Sequence, residues 1–240
     1  MITWIEHIDQ RLPRTSQALG HDSETPGLLA AGGDLTTERL IEAYSHGVFP
    51  WYQEGQPVLW WSPDPRMVLP VAEFKPSRSL RKTIARFATS SDCELRTDTC
   101  RRQVLQACAS VQRAGQRGTW ITRDMVAAYC AWPAVHSFET WIAGELVGGL
   151  YGVSLGRMFF GESMFSRRTD SSKIALAALV CFCRANGIGL IDCQQRTEHL
   201  RSMGAREVTR TVFEELMAPY LREAPVTNWT YDRSLWSRLR

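Results

Sequence analysis

The patterning of residues 137–204 constrains this chain more than any other feature. Segments 137–142, 146–153 and 157–162 are short apolar runs separated by tight turns at Gly144-Glu145 and Leu155-Gly156. That spacing predicts three strands in an antiparallel meander. An unbroken apolar run follows at 174–183, bracketed by Lys173 and Arg184. It is far shorter than the roughly 20 residues a bilayer needs, so it reads as a buried helix. Asp170 or Ser171 caps this helix, which runs to about Ala185 with Gly187 at its C-terminal side. Residues 190–193 (LIDC) read as a further strand, and Thr197 opens a short helix that Gly204 closes. Strand, strand, strand, helix, strand, helix is an α+β order.

Upstream, the glycine-rich segment 27–34 leads into a helix capped by Thr36, with Glu38 in its first turn and Gly47 at its end. Residues 49–52 (FPWY) and 60–66 (WWSPDPR) follow as aromatic loops, where two prolines forbid a helix and favour extended, turning backbone. Ser77 or Ser79 caps a basic helix to about Phe87, Thr97 or Asp98 a second to about Gln112, and Thr122 a third to about Trp132. This punctuation divides the chain into a small N-terminal domain at 1–74, a basic helical segment at 75–134, and a core at 135–240. The core order is that of an acetyltransferase-like (GNAT-like) domain, whose mixed, largely antiparallel sheet splays to open a cleft for an acyl donor.

Composition excludes several classes. The first twenty residues mix charges with single apolar residues and lack a secretion-signal core. The seven cysteines contain no C-x-x-C pair, and the five histidines are scattered without an H-E-x-x-H. A reducing, cytoplasmic location and no metal are expected. Net charge is only +3, but 75–117 carries ten basic residues against three acidic ones, among them Arg78, Arg81, Lys82, Arg113 and Arg117. This is either a set of solvated helix faces or a polyanion-binding surface.

Polar residues set among apolar ones mark candidate chemistry. Asp192 is either a carboxylate in a cleft or a strand-end capping acid. Gln194, two residues on, faces the same side if the strand continues. Glu162 ends an apolar strand and either serves a site or pairs with Arg167 or Arg168. Cys193 lacks the nearby histidine a thiol nucleophile needs, and that reading is rejected. Of nine tryptophans, Trp51, Trp60, Trp61 and Trp120 fall at loops or element ends, where they either pack or stack unpaired bases.

Together, 27–34 (GLLAAGGD), 43–52 (AYSHGVFPWY), 59–66 (LWWSPDPR), 118–122 (GTWIT), 146–152 (LVGGLYG), 160–166 (FGESMFS) and 190–194 (LIDCQ) resemble the leucyl/phenylalanyl-tRNA protein transferases, in that family's order. The resemblance implies an enzyme that moves Leu, Phe and less readily Met from aminoacyl-tRNA to proteins with N-terminal Arg or Lys, marking them for N-degron degradation. It implies Asp192 and Gln194 as the catalytic pair and Glu162 as a residue positioning the tRNA end and the reacting ester. Trp51 and Trp120 would hold the terminal adenosine, with Tyr44, Tyr129 and Phe159 nearby. Leu150, Met164, Leu176, Leu179 and Ile191 would line the donor pocket. Leu150 and Leu179 are sometimes Met and Phe in the family, which leaves the pocket shape here less defined than the donor class.

Aminoacyl-tRNA is an activated ester, so neither cofactor nor ATP is expected, and a monomer away from membranes suffices. In the expected mechanism Asp192 accepts or orients the amine proton, or reads the acceptor's basic side chain, while Gln194 positions the attacked group. Two rival readings stand beside this one. The first is an acetyl-CoA-dependent N-acetyltransferase, since Arg184-Ala-Asn-Gly187-Ile-Gly189 spells R-x-x-G-x-G; that segment follows a helix, whereas a phosphate cradle follows a strand and opens a helix. The second is a non-enzymatic RNA-binding module.

Overall fold

The structure is a computed structural model that describes residues 2–111 and 119–239. Arg113, Arg117 and Gly118, together with the expected helix end at Gln112, lie outside the described residues.

The N-terminal region builds a small sheet from β1 (Thr3–Ile5), β2 (Leu28–Gly32), β3 (Phe49–Pro50) and β4 (Leu59–Trp61), in the order β1-β2-β4-β3. Between β2 and β3 lies α1 (Thr37–Ser45), where the Thr36 side chain accepts from the Arg39 N–H, as its capping role predicted.

The main sheet has seven strands. It is formed by β5 (Arg66–Pro70), β6 (Cys93–Thr97), β7 (Val135–Ile142), β8 (Glu145–Leu155), β9 (Met158–Ser166), β10 (Leu190–Gln194) and β11 (Arg206–Val208). The order is β11-β5-β10-β9-β8-β7-β6, and β9 with β10 is its one parallel pair. The predicted meander is β7-β8-β9. A mixed, largely antiparallel α+β fold is therefore present.

Three strands of the main sheet, β5, β6 and β11, were not expected from the sequence. β5 lies directly after the prolines, where a turning loop was expected, and hydrogen-bonds to both β10 and β11. β6 pairs antiparallel with β7, with the Arg96 guanidinium 4.4 Å from the Trp141 ring. The sheet thus takes strands from both sides of residue 134.

Helices cover both faces. α2 (Arg78–Thr89), α3 (Arg101–Ala109) and α4 (Arg123–Ala131) precede the meander; α5 (Ser171–Asn186), α6 (Glu198–Arg201) and α7 (Arg210–Leu221) follow it. Ser77 caps α2 and Thr122 caps α4 through their hydroxyls. α3 starts later than expected, after Cys100 and without a side-chain cap, because Asp98 turns back to accept from the Ser137 N–H and pair with His136.

Strand alternation sorts the core into two sides. Met67, Leu69, Phe138, Leu150, Phe159 and Ile191 face α5 and α2. Val68, Tyr151, Val153, Met158, Phe160 and Leu190 face α1, α3, α4 and α7. α5 is buried on nearly every side, which accounts for its uninterrupted apolar run. Among the described residues no helix is long and apolar enough to cross a membrane.

Candidate active site

The parallel pairing of β9 with β10 ends at Phe160 and Asp192, and each strand then carries a β-bulge. On β9, Gly161 and Ser163 oppose the adjacent residues Gly152 and Tyr151, so Glu162 is the extra residue. A side chain at Gly152 would collide with the Phe160 carbonyl and the Phe159 ring, so only glycine fits opposite this bulge. On β10, Asp192 pairs with Val68 and Gln194 with Met67, so Cys193 is the extra residue. Gln194 takes a left-handed backbone with φ of 58°. The strand does not continue regularly, and Gln194 leaves the alternation that would have set it on the Asp192 side. Bulges re-aim side chains in this way.

A cavity of about 640 Å³ opens where the two strands separate. One wall is aliphatic and aromatic, made by Leu150, Phe159, Met164, Leu176, Leu179 and Ile191, the residues expected of a donor pocket plus the expected adenosine neighbour Phe159. Trp51 and Trp120 also line the cavity. Trp51 is fixed by its N–H to Leu59 O (2.9 Å), by the Trp61 indole N–H to its own carbonyl (2.6 Å), and by edge packing on the Trp61 ring. Trp60 is fully buried and donates to Gly32 O (2.9 Å), so its role is packing.

The lining also includes a polar cluster of Glu162, Asp192 and Gln194. Glu162 Oε1 accepts from the Tyr44 hydroxyl (2.7 Å) and from Gln194 Nε2 (2.9 Å). Tyr44 and Tyr129 hydroxyls are 2.6 Å apart, and since the Tyr44 proton goes to Glu162, Tyr129 is the donor of that pair. Both tyrosines are fully buried and stand behind Glu162, off the cavity wall. Glu162 Oε2 has no hydrogen-bond partner among the described residues. Burial pushes the Glu162 carboxyl up to about 8, reinforced by the nearby Asp192 charge and opposed by the Tyr44 bond. Burial also holds both tyrosine hydroxyls well above their ordinary range, so they remain neutral donors.

Asp192 is held differently. Its Oδ1 accepts from Arg66 Nε (2.8 Å) and from the Gln194 N–H (2.8 Å), and its Oδ2 from Arg66 Nη2 (2.6 Å). Both side chains are 1% exposed. Arg66 also donates to Gly47 O (3.0 Å) and lies between the rings of Phe49 and Phe213. This bidentate pair fixes the start of the β10 bulge and, through the Gln194 N–H, the turn that aims Gln194.

Sequence reasoning passed over Arg66 as an unassigned part of the LWWSPDPR motif. A charge opening the apolar run Met67-Val68-Leu69 was the available signal, because such a residue demands a buried partner. His199 and Arg196 on the cavity rim were also missed. Burial and Lys173 lower the His199 imidazole from its ordinary range. Burial and Asp192 raise the Cys193 thiol far above its own, so it lines the cavity as a neutral thiol. Arg78, Arg81 and Lys82 are exposed on the first turns of α2, away from the cavity wall. The R-x-x-G-x-G segment is no phosphate cradle: Gly187 is the left-handed C-terminal residue of α5, Arg184 donates to the carbonyls of Arg238 and Val71, and the Tyr220 ring fills the space at Gly189.

Two family models cover this architecture. The leucyl/phenylalanyl-tRNA protein transferase model matches residues 68–218, and that of the family's N-terminal domain matches 33–64. The chain is 62% identical to the leucyl/phenylalanyl-tRNA–protein transferase of Methylibium petroleiphilum, across 100% of this chain and 92% of that protein. It is 54% identical to the one from Leptothrix cholodnii, across 100% and 95%. The chain belongs to the leucyl/phenylalanyl-tRNA protein transferase family. Among solved structures, L-PGS from Bacillus licheniformis is similar at a TM-score of 0.41 and 10% identity, covering 88% of this chain and 63% of that one. In this transferase, both family models meet at the cavity. Trp51 comes from the N-terminal match, and Glu162, Asp192 and Gln194 from the longer one.

Proposed function

We propose that this chain transfers Leu, Phe and Met from aminoacyl-tRNA to the α-amine of proteins beginning with Arg or Lys, so marking them for N-degron degradation. The cavity between the splayed strands carries this reading. Its aliphatic residues suit an uncharged donor side chain, its tryptophans suit a nucleobase, and the polar cluster in the same cavity suits the ester that links them. The meander, α5 and the parallel strand β10 serve as an acetyltransferase-like core, with the acyl donor in the splay.

Binding the two ends of the donor separately fixes the ester carbonyl against Gln194. Orientation of this kind can supply about 7–11 kcal/mol of a barrier. Asp192 acts by position: its oxygens are occupied by Arg66 and the Gln194 N–H, so it sets the Gln194 turn. Gln194 donates through Nε2 to Glu162, which leaves its amide oxygen to accept from the incoming amine. An apolar pocket separates donors by only about 1–3 kcal/mol per methylene, so Leu, Phe and Met are all accepted. Arg78, Arg81 and Lys82 supply phosphate contacts for the tRNA. All seven cysteines are free, consistent with the cytoplasm.

The test is direct. Purified protein incubated with labelled Leu-tRNA and a peptide beginning with Arg should yield a peptide lengthened by one leucine. No lengthened product with Leu-, Phe- or Met-tRNA would end this assignment.

A further inference from the structure

We propose that Glu162 is the proton shuttle of the transfer step: its Oε2 takes a proton from the attacking α-amine and passes it to the ribose oxygen that leaves. This rests on the transferase reading above and assigns a catalytic role to a residue that the family resemblance implied only in positioning.

On β9 and β10, Glu162, Asp192, Cys193 and Gln194 line the cavity. Both Asp192 oxygens accept from the Arg66 guanidinium, so a proton placed there would have to displace Arg66. Cys193 is held as a thiol and offers no thiolate. Gln194 can orient an amine but cannot keep a proton. Glu162 differs on each count. Its Oε1 is filled by two donors, Tyr44 and Gln194, and its Oε2 has none among the described residues although Glu162 is only 7% exposed. A buried carboxylate oxygen without a partner is costly, and such an orphan in a built site points to a group supplied by the substrate.

The surroundings suit transient rather than permanent charge. Tyr44 from α1, with Tyr129 of α4 behind it, donates to Oε1, and Gln194 donates from β10. Asp192 is the like charge nearby, and Arg66 on β5 neutralises it. Desolvation holds the carboxyl near 8, close to the roughly 7.7–8.0 of an N-terminal amine, which is where a group passing a proton both ways is most effective.

The step balances without a co-reactant. The amine nitrogen forms the new bond to the ester carbonyl carbon and loses one proton to Oε2. The carbon–oxygen bond to the ribose breaks, and the departing oxygen receives that proton, which restores the carboxylate. The amide forms, the tRNA end regains its hydroxyl, and Glu162 returns to its starting state.

The test uses single-turnover transfer from Leu-tRNA to an Arg-initiated peptide at saturating acceptor, between about pH 5.5 and 8.5. In the native enzyme both Glu162 and the amine must lose a proton, so the logarithm of the rate should rise with a slope of two at the acid end. Glu162→Gln keeps the Oε1 acceptor and should bind aminoacyl-tRNA within about threefold of normal, with the rate down about 100-fold or more and a slope of one. A native slope of one, a Glu162→Gln rate within about fivefold of native, or loss of the second ionisation in His199→Gln instead, would overturn the proposal. The native slope decides the matter even if Glu162→Gln does not fold. A native enzyme that makes no product overturns the transferase reading itself, whereas transfer with a slope of one overturns this inference alone.

Discussion

Arg66→Met should lower the melting temperature by about 6–20 °C, and the reason is the charge it leaves behind. Arg66 and Asp192 are joined by two hydrogen bonds, and each is 1% exposed. Methionine is unbranched and fills much of the same slot between the Phe49 and Phe213 rings, so lost packing is the smaller effect. The stranded carboxylate is the larger one, because removing one partner of a buried pair costs about 3–5 kcal/mol. A chain of this size loses about 2–4 °C per kcal/mol, which gives the range stated. Adding Asp192→Asn removes the charge while keeping an oxygen for the Gln194 N–H, and should recover at least half of the loss. Urea unfolding followed by tryptophan fluorescence measures both the loss and its recovery. A single variant within about 1 kcal/mol of native, or a double variant whose losses simply add, would refute the argument. The recovered double variant should still transfer poorly, because it lacks the bidentate clamp that sets the Gln194 turn.

Three further outcomes follow from the same geometry. Glu162 titrates near 8 in the folded chain against its ordinary 4.5, so the folded state holds the extra proton and native stability falls as pH rises between those values. Glu162→Gln should therefore gain relative stability up to about pH 8, on the order of 4 kcal/mol at full ionisation, read from urea midpoints across that range. Trp51→Ala or Trp120→Ala should weaken aminoacyl-tRNA binding by about 1–3 kcal/mol in a filter-binding assay, with the melting temperature little changed. Replacing Arg78, Arg81 and Lys82 together by Ala should reduce the slope of log affinity against log salt by about 2–3, and an unchanged slope would remove α2 from the tRNA surface.

What the sequence revealed depended on whether the signal was local. The meander and α5 were legible because alternation and an unbroken apolar run are properties of neighbouring residues. The Thr36, Ser77 and Thr122 caps were legible for the same reason. β5 was hidden because Met67, Val68 and Leu69 are buried on both faces, and such a strand shows no alternation to set it apart from the proline loop before it. β6 is an edge strand of polar character, which reads as loop. The site divides in the same way. Asp192, Gln194, Glu162 and the pocket residues were named through the family motifs. The Arg66–Asp192 clamp spans 126 residues and the Tyr44–Glu162 bond spans 118, and no window along the chain brings those partners together.

The two bulges explain why one cavity holds both an apolar wall and a polar cluster. In a regular β9, Met164 would share a face with Phe160, pointing toward α1 and α4. The extra residue at Glu162 reverses that parity, so Met164 pairs with Leu150 and joins Phe159 on the α5 side. In a regular β10, Gln194 would follow Asp192; the extra residue at Cys193 sets it opposite Met67 instead. Each bulge thus brings one side chain, Met164 on β9 and Gln194 on β10, to the donor-pocket side, while Glu162 bonds to Tyr44 and Asp192 to Arg66. Both bulges lie just past the point where the parallel pairing of β9 and β10 ends, so the widening of the cleft and the reversal of its faces share one origin. Deleting either extra residue would leave the flanking pairs in place, with Met164 still opposite Leu150 and Gln194 still opposite Met67, so the sheet would still pair. The site would lose the Glu162 carboxyl in one case and, in the other, the turn between Asp192 and Gln194.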